Sequence, residues 1–289
     1  MIKEYLKLFR LHQWIKNIFI FVPLIFSKNL FNSGLLFTVI VGFFEFCIAS
    51  SLVYVSNDII DIESDRKHPV KKERPLAAGK ITKKAAIISV IVLFLIVLLL
   101  LPFFNIIFDA LLITFIILNI FYSLVLKNIV IIDIFTIAAG FMLRIISGAF
   151  IINVEISNWL ILTTMFISLF LGVMKRRSEL ALVENGSTRK VLAEYSITFS
   201  DQMATIAAAG VIICYALYSV SSRTVSIFDT EKLIFTTPFV VFGIFRYMYL
   251  VYMSAKGENT SKILVSDLPM IINILLYILF SILIIYRII

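Results

Sequence analysis

Long apolar runs alternate with short polar breaks along this chain, and the length of the runs predicts membrane-spanning helices. A helix needs about 20 apolar residues to cross the ~30 Å hydrocarbon core of a bilayer. Nine runs fit that length, over residues 18–36, 38–56, 85–104, 107–124, 129–151, 157–174, 203–221, 233–252 and 267–287. A transmembrane β-barrel would show short alternating strands instead. The pattern predicts an all-α integral membrane protein with nine transmembrane helices.

Composition agrees with this prediction. Hydrophobic residues make up 61% of the 289 residues, charged residues make up 15%, and the mean hydropathy is +1.04. These values exceed what a water-soluble globule shows. No linker or low-complexity segment divides the chain, so we expect a single polytopic membrane domain over residues 1–289. Cys47 and Cys214 fall inside predicted spans and are interpreted as packing residues.

Lysine and arginine are concentrated on alternate polar segments, and this asymmetry predicts the orientation of the chain. Short basic loops stay on the cytoplasmic side of a membrane. If the N-terminus is cytoplasmic, 20 of the 26 Lys and Arg residues fall in inside segments and four in outside segments. We therefore expect a multi-pass protein of the cell membrane with a cytoplasmic N-terminus. Topology and anionic lipid headgroups then explain the formal net charge of +8, without a nucleic-acid partner.

The stretch "NDIIDIESDRKHPVKKERPLAAGKI" departs from the apolar pattern at the end of the second predicted span. On a helix that continues this span, the spacing of Asn57, Asp58, Asp61 and Asp65 puts the four side chains on one face. Clustered oxygen ligands of this kind suit a hard cation such as Mg²⁺, which keeps positions open for substrate phosphates. The alternative is a solvated acidic helix end, which is also the interpretation of Glu63.

Bases follow these acids directly, and they supply charge of the opposite sign. A diphosphate held by Mg²⁺ still carries excess negative charge, which lysine and arginine can neutralise. The candidates are Arg66, Lys71, Lys72 and Arg74. For any single one of them, a role as a cytoplasmic topology anchor is an equal alternative.

The order Asn57, Asp58, Asp61, Asp65, followed by "RPLAAGKI", resembles the first signature of the UbiA superfamily of intramembrane prenyltransferases. The resemblance covers nearly the whole chain. It implies a nine-helix bundle whose Mg²⁺-diphosphate site, and thus whose active site, lies at the cytoplasmic end. These features are expectations at this point.

Two further stretches resemble the decaprenyl-phosphate phosphoribosyltransferase branch of that superfamily. "LRLHQWIKNIFIFVPLIF" carries Arg10, Lys16 and Asn17, which would stand at the cytoplasmic lip of the bundle. "FYSLVLKNIVIIDIFTIAAGFMLRIISGAF" carries four further candidates, which are Tyr122, Lys127, Asp133 and Arg144. An arginine inside an apolar helix is costly and usually faces a polar cavity. The structural alternative for Arg144 is a buried ion pair, with Asp133 or with an acid on a neighbouring helix.

A third stretch separates this branch from prenyl-diphosphate users, which carry a second acidic motif after span six. Here that place reads "GVMKRRSELALVENGSTRKVLAEYS", and the second acid pair is missing. Lys175, Arg176 and Glu179, with Tyr195 downstream, resemble the phosphoribosyl branch instead. Bases at this place suit the second phosphate of a phosphorylated sugar. The alternative is that these bases only mark the cytoplasmic end of the helix.

The resemblance implies transfer of 5-phosphoribose from 5-phosphoribosyl 1-diphosphate to a polyprenyl phosphate of the decaprenyl type, with release of diphosphate, in a branch that commonly feeds cell-wall biosynthesis. Asp58, Asp61 and Asp65 are the expected Mg²⁺ ligands, and the expected catalytic residues are Asp58, Asp61, Lys16 and Arg144. Substrate binding is expected of Asn17, Asn57, Arg66, Lys71, Arg74, Tyr122, Lys127, Asp133, Lys175, Arg176, Glu179 and Tyr195. The alternatives are prenyl transfer to an aromatic acceptor, and a transporter or lipid carrier.

Overall fold

The computed structural model describes residues 2–68, 70–181, 190–254 and 266–288, and these residues form helices and connecting turns without a strand. The all-α prediction is confirmed for this part of the chain. A 3₁₀ helix, Leu11–Phe21, lies between the first two α-helices. The α-helices are α1 (Ile2–Leu8), α2 (Val22–Phe26), α3 (Ser33–Ile60), α4 (Ile62–Lys67), α5 (Lys83–Leu100), α6 (Ile106–Leu124), α7 (Ile132–Ile151), α8 (Asn158–Ala181), α9 (Ile197–Val220), α10 (Ser222–Phe228), α11 (Thr237–Ser254) and α12 (Leu268–Ile285).

Eight of the described helices are long and apolar enough to cross a membrane. They are α3, α5, α6, α7, α8, α9, α11 and α12. Short 3₁₀ turns extend two of these spans, at the end of α5 and at the start of α11. The last seven spans predicted from the sequence correspond to them one for one, from α5 onward. Helix α8 continues to Ala181, past the predicted end at residue 174.

The first two predicted spans, 18–36 and 38–56, are wrong in their boundaries. The chain turns at residues 27–32, and α3 then runs without interruption from Ser33 to Ile60. Asn32 caps this helix, because its side chain accepts a hydrogen bond of 3.2 Å from the backbone N–H of Leu35. Hydropathy does not detect this turn, because apolar residues lie on both sides of it. Asn29 and Asn32 are residue types that favour turns.

Helix formation before that turn starts earlier than predicted and takes an unusual form. Leu11–Phe21 is a 3₁₀ helix of 11 residues, longer than such helices normally are. It lies against α3 and α7 in the interior, with Asn17 and Ile20 buried. A Cβ added at Gly148 of α7 would lie 2.1 Å from the backbone oxygen of Ile20. Only a glycine there lets α7 approach the backbone of the first segment this closely.

Apolar packing divides into clusters on either side of α7. One cluster joins the first segment with α3, α5 and α6, and another joins α8, α9, α11 and α12. Arg74 contacts Asp65, Lys127 contacts Asp61, and Tyr195 contacts Ile131, so the described polar segments 61–68, 70–82, 125–131 and 190–196 belong to the same end of the bundle. Three of the bases assigned to that end from the sequence, Arg189, Lys256 and Lys262, lie outside the described residues.

Candidate active site

The acidic motif lies where α3 gives way to α4. Helix α3 ends at Ile60 and α4 begins at Ile62, with Asp61 between them at φ −92° and ψ 6°. Asp58 and Asp65 are buried, with 2% and 3% of their surface exposed. The predicted continuous helix is therefore interrupted at Asp61, in the middle of the motif.

Basic side chains from three other segments hold these acids. Arg10, just before the 3₁₀ helix, forms an ion pair with Asp58. Arg74 bridges two of the acids, with Nη1 3.1 Å from Asp58 Oδ1 and 2.6 Å from Asp65 Oδ2. Lys127, in the turn between α6 and α7, lies with its Nζ 2.8 Å and 3.0 Å from the two carboxylate oxygens of Asp61. Because of the interruption, Asp58 and Asp65 share one base while Asp61 has another.

One oxygen of the acidic cluster, on Asp58, has the chemistry of a metal ligand. Within the described ranges, no group of three or more His, Cys, Asp and Glu side chains is arranged to hold a metal ion, and bases pair with the acids of the motif. Asp58 Oδ2, however, is buried without a hydrogen-bond partner among the described residues. A buried carboxylate oxygen without a partner is costly, and Mg²⁺ prefers oxygen ligands. The donor chemistry at Asp58 therefore suits Mg²⁺.

A second polar group surrounds Arg144 deeper in the bundle. Its Nε donates to Asn17 Oδ1 at 2.6 Å, and its Nη1 donates to the carbonyl oxygen of Gly140 at 2.7 Å. Its Nη2 lies 3.5 Å from Ser50 Oγ. The guanidinium carbon also lies 4.5 Å from the ring centre of Phe115. These bonds leave further N–H donors of the guanidinium unused.

Positive charge in this deeper group is not balanced by acids. Neither Arg144 nor Lys16 forms an ion pair with any acid in the described part of the chain, and both lie close enough to repel each other electrostatically. Ser50 precedes Asp58 by eight residues on α3, which places Arg144 about 12 Å below the acidic cluster along the helix axis. We call Lys16, Asn17, Ser50 and Arg144 the deep basic pocket.

A third group encloses Arg176 of α8. This side chain is fully buried, and its Nε donates to Asp133 Oδ2 at 2.5 Å. Its Nη1 pairs with Glu179 on the next helical turn, and its Nη2 donates to the hydroxyl of Tyr122 at 3.1 Å. The structural alternative for Arg144 that paired it with Asp133 is therefore wrong, because Asp133 pairs with Arg176.

Tyr195 completes this third group from the segment after α8. Its hydroxyl donates to Asp133 Oδ1 at 2.8 Å and accepts a hydrogen bond of 2.7 Å from the backbone N–H of Ile131. Burial, with the neighbouring carboxylate of Asp133, raises the pKa of Tyr195, so the phenol stays protonated and donates. Five predicted substrate-binding residues therefore contact one another, and they form hydrogen bonds and ion pairs within the group. They are Tyr122, Asp133, Arg176, Glu179 and Tyr195.

The other predicted substrate-binding residues occupy more peripheral positions. Arg66 is exposed and pairs with Glu63 one turn earlier on α4, at 2.9 Å. Asn57 is half-buried, and its carbonyl oxygen accepts a 2.9 Å hydrogen bond from the backbone N–H of Asp61. Lys71 opens a short 3₁₀ turn, Lys71–Glu73, and Lys175 is half-buried on α8.

Two residues of these groups were not predicted as site residues. Arg10 was expected only near the lip of the bundle, yet it pairs with Asp58. Ser50 was not singled out, although "SS" within the apolar stretch "IASSLVYV" was a signal for a polar contact inside the bundle. The Ser50 hydroxyl donates to Asn17 Oδ1 at 3.2 Å and so belongs to the deep basic pocket.

Comparison with known sequences gives a family match. The model of the UbiA prenyltransferase family matches residues 18–275. The decaprenyl-phosphate phosphoribosyltransferase of Corynebacterium glutamicum is 33% identical over 219 residues, which cover 74% of this chain and 66%, just under two thirds, of that protein. The protein of the same name from Mycolicibacterium smegmatis is 30% identical over 75% of this chain and 70% of its own length.

Solved structures give the fold. A UbiA homolog from Archaeoglobus fulgidus bound to GPP and Mg²⁺ superposes with a TM-score of 0.76 at 17% identity, over 98% of this chain and 99% of that one. A digeranylgeranylglyceryl phosphate synthase superposes with a TM-score of 0.65 at 21% identity, over 99% of each chain. At such low sequence identities, the structural similarity establishes the helical fold only. The chemistry has to be inferred from the side chains of this chain.

Proposed function

Since this chain belongs to the UbiA prenyltransferase family, we propose that it transfers 5-phosphoribose from 5-phosphoribosyl 1-diphosphate to a polyprenyl phosphate of the decaprenyl type. The relatives named decaprenyl-phosphate phosphoribosyltransferase support this reaction. The observation that carries it is the presence of two unlike sites, an acidic cluster paired with bases and a deep basic pocket in which no described acid pairs with Lys16 or Arg144. One suits a metal-bound diphosphate and the other suits a bare phosphate.

The donor diphosphate is assigned to the acidic cluster. Asp58, with Asp61 and Asp65, would hold Mg²⁺, which when bound neutralises charge on the leaving diphosphate. Arg10, Arg74 and Lys127 already contact the three carboxylates. Their N–H donors are therefore at hand for the diphosphate oxygens at the same place.

The acceptor phosphate is assigned to the deep basic pocket. A buried guanidinium without an acid is costly unless an anion accompanies it, and Arg144 keeps unused donors for phosphate oxygens. Lys16 adds a second positive charge in the same pocket. A lipid phosphate is tethered to a chain within the bilayer, so it reaches the deeper pocket, whereas the soluble sugar reaches the mouth.

The chemistry needs positioned charges more than a proton acceptor. The bond from the anomeric carbon to the diphosphate oxygen breaks, and an oxygen of the acceptor phosphate forms the new bond to that carbon. A phosphate monoester dianion is already a nucleophile, so no general base is required. Arg144 and Lys16 would orient it, while Arg10, Arg74 and Lys127 stabilise the leaving group.

The topology of the chain is proposed on the same footing. Leu11–Phe26 is shorter than a usual span, but a 3₁₀ helix rises about 2.0 Å per residue, so this segment covers roughly 30 Å. It would form the first of nine crossings, with the eight candidate spans as the others. The N-terminus and the active site then lie on the cytoplasmic side of the cell membrane, as the basic loops favour.

The test is an assay of purified protein with Mg²⁺, radiolabelled phosphoribosyl diphosphate and polyprenyl phosphates of several chain lengths. We expect labelled lipid and released diphosphate. Asp58→Asn and Asp61→Asn should abolish the product, whereas the matched control Glu63→Gln, on an exposed acid of the same stretch, should retain it. Full turnover by both aspartate variants would remove the metal assignment. Prenyl transfer from geranylgeranyl diphosphate, without phosphoribosyl transfer, would overturn the function.

A further inference from the structure

The turn between α6 and α7 contains a strained residue. Ile131 has φ 69° and ψ −46°, and a hydrogen bond of 2.8 Å runs from the backbone N–H of Ile132 to the carbonyl oxygen of Val130. These values describe a γ-turn of the form that is rare and strained. A β-branched side chain makes a positive φ less favourable still. The conformation therefore requires something outside the turn to hold it.

The hydroxyl of Tyr195 is that external contact. It accepts the backbone N–H of Ile131 at 2.7 Å, at the strained residue itself. It also donates to Asp133 Oδ1 at 2.8 Å, in the first turn of α7. Asp133 in turn is fixed by the buried Arg176. One phenol thus ties the segment after α8 to both the γ-turn and the helix that follows it.

The position of Lys127 depends on the conformation of the γ-turn at Ile131. It lies in the 3₁₀ turn Leu126–Asn128, four residues before Ile131, and its Nζ reaches Asp61 at 2.8 Å. A change in the backbone at Ile131 would move this turn relative to α3. Displacements near 1 Å in positioned groups are enough to reduce catalysis strongly.

We propose that Tyr195 is a positioning residue, which clamps the strained turn at Ile131 and so fixes Lys127 at the acidic cluster. It acts without touching substrate, in place of the substrate contact expected from the sequence. Tyr195 is 6% exposed, and both hydrogen-bonding functions of its hydroxyl are used internally. The inference rests on the proposed function only for the identity of the donor.

The kinetic test compares Tyr195→Phe with wild type in the phosphoribosyl transfer assay. We expect the KM for phosphoribosyl diphosphate to rise about tenfold, because Lys127 is displaced from the donor site, while the KM for polyprenyl phosphate stays unchanged. Tyr215→Phe is the matched control, since it removes another buried tyrosine hydroxyl, 2.6 Å from Thr236 Oγ1. Equal rises in both KM values, or an unchanged donor KM, would overturn the proposal.

A second substitution at Ile131 distinguishes loss of the clamp from a general loss of stability. Glycine adopts positive φ without strain, so Ile131→Gly lets the turn persist without the clamp. Ile131 is 39% exposed, and the substitution therefore removes little packing. Adding Ile131→Gly to Tyr195→Phe should restore the donor KM to within about twofold of wild type. A double variant as impaired as Tyr195→Phe alone would contradict the clamp.

Hydrogen–deuterium exchange tests the clamp without any substrate. The Ile131 amide, whose partner is the phenol, should exchange at least about tenfold faster in Tyr195→Phe and at the wild-type rate in Tyr215→Phe. Unchanged exchange in Tyr195→Phe would overturn the inference even if phosphoribosyl transfer is found. Faster exchange in a protein that lacks that transfer would uphold the clamp and refute the proposed function.

Discussion

Two buried arginines in neighbouring helices have opposite surroundings. Arg176 of α8 is fully buried, and its guanidinium contacts two carboxylates and a phenol. Arg144 of α7 is 6% exposed, and its partners are an amide, a backbone carbonyl, a hydroxyl and an aromatic face. Both cost free energy to bury, but among the described residues acids neutralise only the charge of Arg176.

This difference separates a structural from a functional arginine. A buried charge that the protein itself balances holds helices together, and removing one partner exposes the others to a large penalty. A buried charge that the protein leaves unbalanced is stabilised only when an anion binds. Arg176 therefore organises α6, α7 and α8, whereas Arg144 is the residue that we propose binds the acceptor phosphate. Four substitutions test this contrast, in order of decreasing expected effect.

Arg176→Met should have the largest effect on stability. It leaves Asp133, which is fully buried, without the cation that pairs with it, and it removes the ion pair between Arg176 and Glu179. We expect the free energy of unfolding to fall by about 3–5 kcal/mol, measured by chemical denaturation in detergent. A loss below about 1 kcal/mol would show that this network contributes little to the fold.

Arg144→Met should lower activity and spare stability. It removes the guanidinium that the protein does not neutralise, so we expect turnover to fall about 100-fold or more. The free energy of unfolding should change by less than about 1 kcal/mol, because Asn17 and Ser50 still bond to each other. If this variant instead unfolds as readily as Arg176→Met and turns over normally when folded, the two arginines have been assigned the wrong way round.

Asp133→Asn measures which arginine is coupled to Asp133. Combined with Arg176→Met, it should cost less than the sum of the single changes, with a coupling of about 1–3 kcal/mol in unfolding experiments. Combined with Arg144→Met, it should be additive within about 0.5 kcal/mol, since these residues lie three turns apart on α7. Coupling to Arg144 rather than to Arg176 would contradict the contacts seen here.

Tyr122→Phe should have the smallest effect of the four. It removes only the hydroxyl that accepts from Arg176 Nη2 at 3.1 Å, while both carboxylates remain. A loss of about 0.5–1.5 kcal/mol in the free energy of unfolding is expected. A loss as large as that of Arg176→Met would mean that the phenol, and not the carboxylates, dominates this network.

The spans were largely predictable because hydrophobic length is a local property. Continuous apolar runs gave α5 to α9, α11 and α12 in order. The prediction failed at residues 18–56, where the turn ending at Asn32 is flanked by apolar side chains on both sides. The 3₁₀ form of Leu11–Phe21 was also not predictable, because hydropathy does not specify the type of helix, and neither was its close contact with α7 at Ile20 and Gly148.

Some residues of the candidate site were predictable, because charged and amide side chains in a membrane helix already indicate polar contacts. Asp58, Asp61, Asp65, Asn17 and Arg144 were identified from spacing, type and resemblance. Their partners were not, since those come from distant segments. Lys127 reaches Asp61 across 66 positions, and Arg144 reaches Asn17 across 127. The metal and substrate roles of these residues remain predictions.

The sequence alone determined that this chain is a helical membrane protein with charged groups gathered at one end, because hydrophobicity and charge act residue by residue. In the sequence, Arg144 is a single arginine inside an apolar run, whereas Arg176 lies between Lys175 and Arg177, and neither pattern identifies a partner. Only the tertiary structure decided that Asp133 contacts Arg176 and that no acid among the described residues pairs with Arg144. Which charges neutralise each other depends on which helices become neighbours, and packing in three dimensions sets that.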